Sequence, residues 1–321
     1  MLKNIFKNIR PDIGIDLGTS NTLVYIKGKG IVVNEPSVVA INTRTDEVLA
    51  IGEDAKRMIG KTPGHIITSK PLVEGVISDF EVAEQMLKYF INKFIANKIG
   101  ILSAKPRIVI SIPLDVTEVE RKAVEDAALG AGAREVFLAE EPMLAAIGAR
   151  LPVQESTGNM IVDIGGGTTQ IAVISLSGIV AWKSLRIAGD TLNKNIIQYI
   201  RENFNLLVGD ATAEKIKLSI GSVFAADQPA EMAVSGRDLI NGLPKEIVIT
   251  DSEIREAIAR SVRTIVSNIK STIESTPPEL VADIYRRGIV LSGGGALLRG
   301  LDALVRQEAR IPVAVIDDPL T

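Results

Sequence analysis

The sequence contains no cysteine and a single histidine, His65. The first absence removes disulfides, thiolate zinc sites and cysteine nucleophiles together, and suits a reducing compartment. The second leaves no histidine pair for a zinc ion and one imidazole at most for a serine triad. His65 falls in Thr62-Pro63-Gly64-His65, which reads as a surface turn without a catalytic role. Chemistry is left to carboxylates, amides, hydroxyls, lysines and backbone N–H groups. Neither sign of charge is in excess: 36 Lys and Arg stand against 39 Asp and Glu, a net charge of −3. That balance argues against nucleic acid as a partner. No apolar run approaches the roughly 18–20 residues of a membrane-spanning helix. The N-terminus shows no compact apolar core and no small-residue cleavage site, so no standard export signal is expected.

What is present is a folding composition. Apolar residues make up 46% of 321 positions, enough for two domains of about 100–200 residues each. Glycines cluster in three places, each directly after a β-branched run. The first is Ile13-Gly14-Ile15-Asp16-Leu17-Gly18-Thr19-Ser20-Asn21-Thr22 and the second is Ile161-Val162-Asp163-Ile164-Gly165-Gly166-Gly167-Thr168-Thr169-Gln170. Laid over one another they match Asp16 to Asp163, Gly18 to Gly165 and Thr22 to Thr169, each reading as strand, tight turn, strand. A second echo links Ile108-Val109-Ile110-Ser111 to Ile289-Val290-Leu291-Ser292. Two such units, each with strands followed by helices, predict an α/β fold of duplicated halves facing across a cleft. Expected boundaries are a short segment 1–10, a first half 11–152 with an insertion at about 34–78, and a second half 153–321 with an insertion at about 190–250. Leu151 to Gly158 is the expected linker. Helices are expected from a cap at Ser78 or Asp79 with an apolar stripe from Val82 to Ile95, from a capping box at Thr117 and Glu120, and from Asp251 to the stop at Pro277-Pro278.

A phosphate chain needs several N–H donors converging on one point and no side chain in the way, which glycines and small hydroxyl residues supply. Gly18, Thr19, Ser20 and Asn21 form one such loop, and Gly165, Gly166, Gly167 and Thr168 another. Asp16 and Asp163 stand where a hydrated Mg²⁺ bridging phosphate oxygens would be held. Gly-rich turns also serve merely to connect strands; two loops in register, each with its aspartate, favour the phosphate clamp. The third loop, Ser292-Gly293-Gly294-Gly295, is expected to lead into a helix at Leu297 and to let a nucleobase approach its backbone. The Walker lysine and the dinucleotide G-x-G-x-x-G spacing are both missing.

These motifs resemble the phosphate and adenosine motifs of the actin, Hsp70 and sugar kinase superfamily. Lys27-Gly28-Lys29-Gly30-Ile31-Val32, Asn34-Glu35-Pro36-Ser37-Val38, Ala139-Glu140-Glu141-Pro142-Met143 and Ala188-Gly189-Asp190 are similar to the MreB family of bacterial actin homologues, from about residue 12 to the end. The resemblance implies duplicated actin-like, ribonuclease H-like halves that bind ATP or ADP with Mg²⁺. It implies that Glu141 orients the attacking water, that Thr168 places a hydroxyl beside the γ-phosphate, that Glu214 accepts from ribose hydroxyls and that Lys217 flanks adenine. A solvated carboxylate before Pro142 and an ordinary surface ion pair at spacing i,i+3 are the plainer alternatives. MreB sequences usually carry glutamate where this chain has Gln170, so a slowed, weak ATPase is expected. They also usually continue past Asp318-Pro319-Leu320 into a final helix.

Leu2, Ile5, Phe6 and Ile9 form one helical stripe flanked by Lys3, Lys7 and Arg10. Such a segment suits the interface of an anionic membrane, a helix docked on its own core, or a frayed tail. The resemblance favours the membrane and adds the apolar Ile99-Gly100-Ile101-Leu102 loop as a second contact. It further implies head-to-tail protofilaments, single or paired, lying peripherally on the cytoplasmic face of the cell membrane and working with cell-shape membrane proteins. A small-molecule kinase and a chaperone-type ATPase are the alternatives on the same scaffold.

Overall fold

The computed structural model describes residues 12–95, 105–225 and 228–321. The amphipathic segment 1–10 and the Ile99–Leu102 loop lie outside the described residues. The described residues form two compact units, one of those up to residue 144 together with residue 321, the other of those from 145 to 320.

Unit 1 begins with the expected glycine hairpin. Strands β1 (Asp12–Leu17) and β2 (Asn21–Ile26) pair antiparallel and continue into β3 (Gly30–Pro36). The insertion follows: β4 (Val39–Asn42), β5 (Glu47–Ile51), α1 (Glu53–Met58), β6 (Ile66–Ser69), β7 (Leu72–Val73) and β8 (Val76–Ile77). β4, β5 and β6 form a small sheet of their own. Then come α2 (Phe80–Ile95), β9 (Arg107–Ile112), α3 (Glu118–Gly130), β10 (Glu135–Glu140) and α4 (Glu141–Gly148), the last crossing into unit 2. The main sheet has the order β10-β9-β1-β2-β3, with β9 parallel to both β1 and β10. Alternate residues Ile13, Ile15 and Leu17 point to the core, where Met86, Leu87, Phe90 and Ile91 of α2 meet them. Of the two proposed caps for α2, Asp79 is used: its carboxylate accepts from Val82 N–H at 3.1 Å.

Unit 2 repeats the plan. Strands β11 (Asn159–Ile164), β12 (Thr169–Ser175) and β13 (Gly178–Leu185) form the hairpin and its neighbour. The insertion and following helices are α5 (Gly189–Phe204), β14 (Leu206–Leu207), α6 (Asp210–Ile220), β15 (Glu231–Asp238), β16 (Pro244–Thr250), α7 (Asp251–Glu274) and α8 (Pro278–Arg287). β17 (Ile289–Ser292), α9 (Leu301–Ala309) and β18 (Val313–Val315) complete the unit. The sheet order is β13-β12-β11-β17-β18, with β17 parallel to β11 as β9 is to β1. The helix begins at Asp251 as expected and ends at Glu274, just before Pro277-Pro278, and Thr250 caps it in a capping box with Glu253. The sequence misplaces the helix after the third glycine loop. Gly294–Leu297 is a single 3₁₀ turn and α9 starts only at Leu301, after a left-handed Gly300. Among the described residues no helix is long and apolar enough to cross a membrane.

Candidate functional site

In unit 1 the site grows from the parallel pairing of β1 with β9. Register sets Ile15 beside Ile110, so the next residues, Asp16 and Ser111, lie side by side. The Ser111 hydroxyl donates to Asp16 Oδ1 at 2.6 Å and accepts from Leu17 N–H at 3.2 Å. Solvent touches the Asp16 carboxylate while protein fills the space around it. Desolvation therefore pushes its pKa upward from 3.8, and the Ser111 donation opposes that shift. A cation restores the ionised form of such a group.

The loop between β1 and β2 is braced from outside. The Ser37 hydroxyl donates to the Gly18 carbonyl at 2.6 Å and Ser37 N–H donates to the Ser20 carbonyl at 3.0 Å. Asn21 Nδ2 donates to Asn34 Oδ1 at 3.2 Å. A side chain at position 18 would stand 2.6 Å from the Asn21 carbonyl, which explains the glycine. Thr19 is buried, and its hydroxyl accepts from Gly75 N–H at 2.9 Å, so the β7–β8 turn is tied to the loop. Glu141, the first residue of α4, is half-buried.

Unit 2 reproduces this construction. Asp163 lies beside Ser292 in the β11–β17 register, and the Ser292 hydroxyl donates to Asp163 Oδ1 at 2.8 Å. The loop Gly165 to Thr168 is closed by Gly165 N–H donating to the Thr168 carbonyl at 2.9 Å. It is then held by the start of α5: Gly189 and Asp190 N–H groups donate to the Gly165 and Gly166 carbonyls at 3.2 and 2.8 Å. Lys217 Nζ, from α6, donates to the Gly189 carbonyl at 3.0 Å. Unit 2 thus brings Asp163, Gly165, Gly166, Gly167, Thr168 and Lys217 to one end of its sheet, with Glu214 half-buried one helical turn from Lys217. Ligands of parallel α/β sheets bind at this carboxyl end of the strands.

The third glycine loop has an internal role. A Cβ at Gly293 would stand 2.4 Å from the Ile164 carbonyl, and one at Gly295 2.2 Å from Ile164 Cγ2. These glycines let β17's exit lie directly on the end of β11, which positions the neighbouring Gly165 loop. Gly294 faces Leu320 at 3.1 Å by the same measure. Gln170 is fully buried in β12, opposite Asp163 in the hairpin register, and its Nε2 donates to Ser184 Oγ at 3.0 Å. Thr168 is 8% exposed. His65 lies in a turn, its carbonyl accepting from Thr43 N–H at 2.9 Å. Sequence reasoning missed the part played by Ser111 and Ser292. Their signal was the repeated strand ending in serine, and only the register shows what each hydroxyl does.

The donor set fits Mg²⁺. Asp16 in unit 1 and Asp163 in unit 2 are each a hard oxygen donor oriented by a serine hydroxyl, and Mg²⁺ takes one or two carboxylates while keeping its waters. Among the described residues no three Asp, Glu, His or Cys side chains gather as a metal cage.

A duplicated α/β fold with an aspartate, a serine and a glycine loop at the same strand ends of both units defines an actin-like protein. The family model described as MreB/Mbl protein matches residues 10–321, and the chain belongs to that family. It is 51% identical over 325 residues to the cell shape-determining protein MreB of Escherichia coli (strain K12), covering 100% of this chain and 93% of that protein. It is 50% identical over 309 residues to the cell shape-determining protein Mbl of Bacillus subtilis (strain 168), covering 96% and 92%. The crystal structure of MreB5 of Spiroplasma citri bound to ADP matches with a TM-score of 0.91 and 40% identity, over 97% of this chain and 93% of that one. The same protein bound to AMPPNP matches at 0.90 with 39% identity, over 97% and 92%.

Proposed function

We propose that this chain is an ATP-binding, filament-forming bacterial actin that lies peripherally on the cytoplasmic face of the cell membrane and organises cell-shape machinery. The observation that carries it is the twice-built site, an aspartate held by a serine hydroxyl beside a braced glycine loop. Gly18, Thr19, Ser20 and Asn21 bind phosphate oxygens from one loop, and Gly165, Gly166, Gly167 and Thr168 from the other. Asp16 and Asp163 are the residues that would hold Mg²⁺, and when bound the ion would supply charge neutralisation for the phosphate chain. Glu214 accepts from the ribose hydroxyls and Lys217 lies along the base. Glu141 orients the attacking water, with Thr168 beside the γ-phosphate, and an amide in place of a carboxylate at Gln170 makes the ATPase slow. The relatives bound to ADP and AMPPNP support the nucleotide, and the cell-shape names of the curated relatives favour this function over a kinase or a chaperone-type ATPase.

Leu2, Ile5, Phe6 and Ile9, with the Ile99–Leu102 loop, insert into an anionic leaflet, and subunits add head to tail into single or paired protofilaments. The test is electron microscopy of the purified chain with Mg-ATP on anionic liposomes. Filaments on the vesicles are expected. ADP release that depends on an added small-molecule substrate, without filaments, would instead establish a kinase.

A further inference from the structure

Unit 2 contains a strap that ties the end of α6 to the exit of the third glycine loop. Between the 3₁₀ turn at Gly294–Leu297 and α9 the backbone is extended at Leu298. The next residue, Arg299, forms a parallel bridge with Ser222, just past the end of α6. Val223 N–H donates to the Arg299 carbonyl at 3.0 Å. A Cβ at Gly300 would stand 3.0 Å from Phe224 Cδ2 and 3.3 Å from Val223 Cγ2, so its bare backbone lets the two segments lie together. The side chain adds a second tie, Arg299 Nη2 donating to the Ser219 carbonyl in the last turn of α6. In a continued helix Val223 N–H would bond that same Ser219 carbonyl, four residues earlier. Arg299 takes both groups, one with its carbonyl and one with its guanidinium.

We propose that Arg299 is a positioning residue for the nucleoside part of the ligand, setting the separation between α6 and the third glycine loop. This rests on the function proposed above, in which Glu214 and Lys217 of α6 meet ribose and base. The guanidinium suits the task because its charge lies at the negative end of the helix dipole and strengthens its bond to the carbonyl.

α6 is thereby held at two points. Lys217 Nζ ties it to the Gly189 carbonyl at 3.0 Å, beside the Gly165 loop, and Arg299 ties its end to the chain leaving Ser292–Gly295. Lys217 lies within one helical turn of Ser219, so a shift of the strapped end reaches the groups that meet the nucleoside. The Gly165 loop keeps ties of its own, Gly189 and Asp190 N–H donating to the Gly165 and Gly166 carbonyls at 3.2 and 2.8 Å. The strap therefore acts on the nucleoside end of the ligand and leaves the phosphate end to its own braces. A cap that served only the stability of α6 would change melting and leave ligand affinity alone.

The test measures Mg-ATP affinity and single-turnover hydrolysis of the full chain beside Arg299→Ala, Arg299→Gln and Arg299→Lys. Arg299 is exposed, and a cooperative melt without nucleotide shows that each variant folds. Arg299→Ala is expected to weaken ATP binding about tenfold. The ATP concentration that half-saturates turnover should rise by the same factor, with the rate at saturation unchanged. Arg299→Lys keeps a charge aimed at the Ser219 carbonyl and should recover most of the affinity; Arg299→Gln keeps a donor without the charge and should fall between, so the comparison of these two stands even if Arg299→Ala unfolds. A parent chain that binds no ATP removes the proposed function and this inference with it. With a parent that binds, unchanged affinity in Arg299→Ala overturns this inference alone. So does a loss that Arg299→Lys shares in full, or a fall in the saturated rate at unchanged affinity.

Discussion

Ser111 performs two tasks with one hydroxyl, and each limits the other. Accepting from Leu17 N–H fixes its oxygen, which leaves its proton for Asp16 Oδ1. Ser292 aims its proton at Asp163 Oδ1 in the same way. A hydrogen bond to a charged group contributes about 1.5–3 kcal/mol, so Ser111→Ala or Ser292→Ala should weaken Mg-ATP binding about tenfold or more. The measurement is the ATP-dependent rise in melting temperature, which follows RT ln(1 + [L]/Kd). An unchanged rise in both variants would remove the serines from the site. A second residue-scale expectation concerns Asp238, at the β15–β16 turn. Its carboxyl is held below 3.8, first by Ile240 N–H, then by Asn241 N–H and Lys245, against the cost of burial. A depressed carboxylate pKa stabilises the fold above the unfolded value and loses that contribution as pH falls through the folded value. Asp238→Asn should therefore lower the melting temperature at pH 7, and the difference from the parent should shrink as pH drops below 3.8. A difference independent of pH would show that charge at Asp238 plays no part.

At the scale of elements, the helices are set by local chemistry and the loops by distant contacts. Thr250 accepts from Glu253 N–H while Glu253 accepts from Thr250 N–H, a box contained within four residues. Thr250→Ala should cost about 1 kcal/mol, seen as a lower denaturation midpoint with an unchanged slope. Such signals are legible in sequence, as the Thr117–Glu120 box and the 3.6-residue stripe of α2 also were. The duplicated hairpins were legible for a related reason, since each Asp-to-Thr turn is complete in one short segment. What was not legible depends on residues far apart in the chain. The helix after the third glycine loop starts at Leu301, past a left-handed Gly300, and the glycines before it lie on Ile164. No local pattern around 293–297 encodes that. The tie from Gly75 to Thr19 spans 56 residues, and the Ser111–Asp16 bond spans 95. The serine echo marked both strands without revealing that the hydroxyls hold the aspartates.

At the scale of the whole molecule, Gln170 is the position at which the proposed ATP binding and ATP turnover would be expected to separate. The amide is buried in β12, directly across the hairpin from Asp163 and donating to Ser184. Gln170→Glu would set two carboxylates face to face in an antiparallel pair, where like charges repel. Burial adds to that penalty, so the introduced carboxyl should have a raised pKa. A raised carboxyl pKa leaves the fold unpenalised below the unfolded value of about 4.3 and penalises it as pH rises through the folded value. Without nucleotide, the variant chain should therefore melt lower than the parent at pH 7 and equal to it at pH 4. Mg-ATP should reverse the order, because a cation beside Asp163 favours the ionised pair, so the ATP-dependent rise should be larger in the variant. A carboxylate can also accept a proton from water where an amide only orients it, a difference of about 10²–10⁴-fold when the group acts as a base. Single-turnover hydrolysis should thus be faster in Gln170→Glu than in the parent. Equal turnover with a larger melting rise would confine position 170 to cation binding and leave Glu141 and Thr168 to position the water. Equal values of both would place it outside the site altogether.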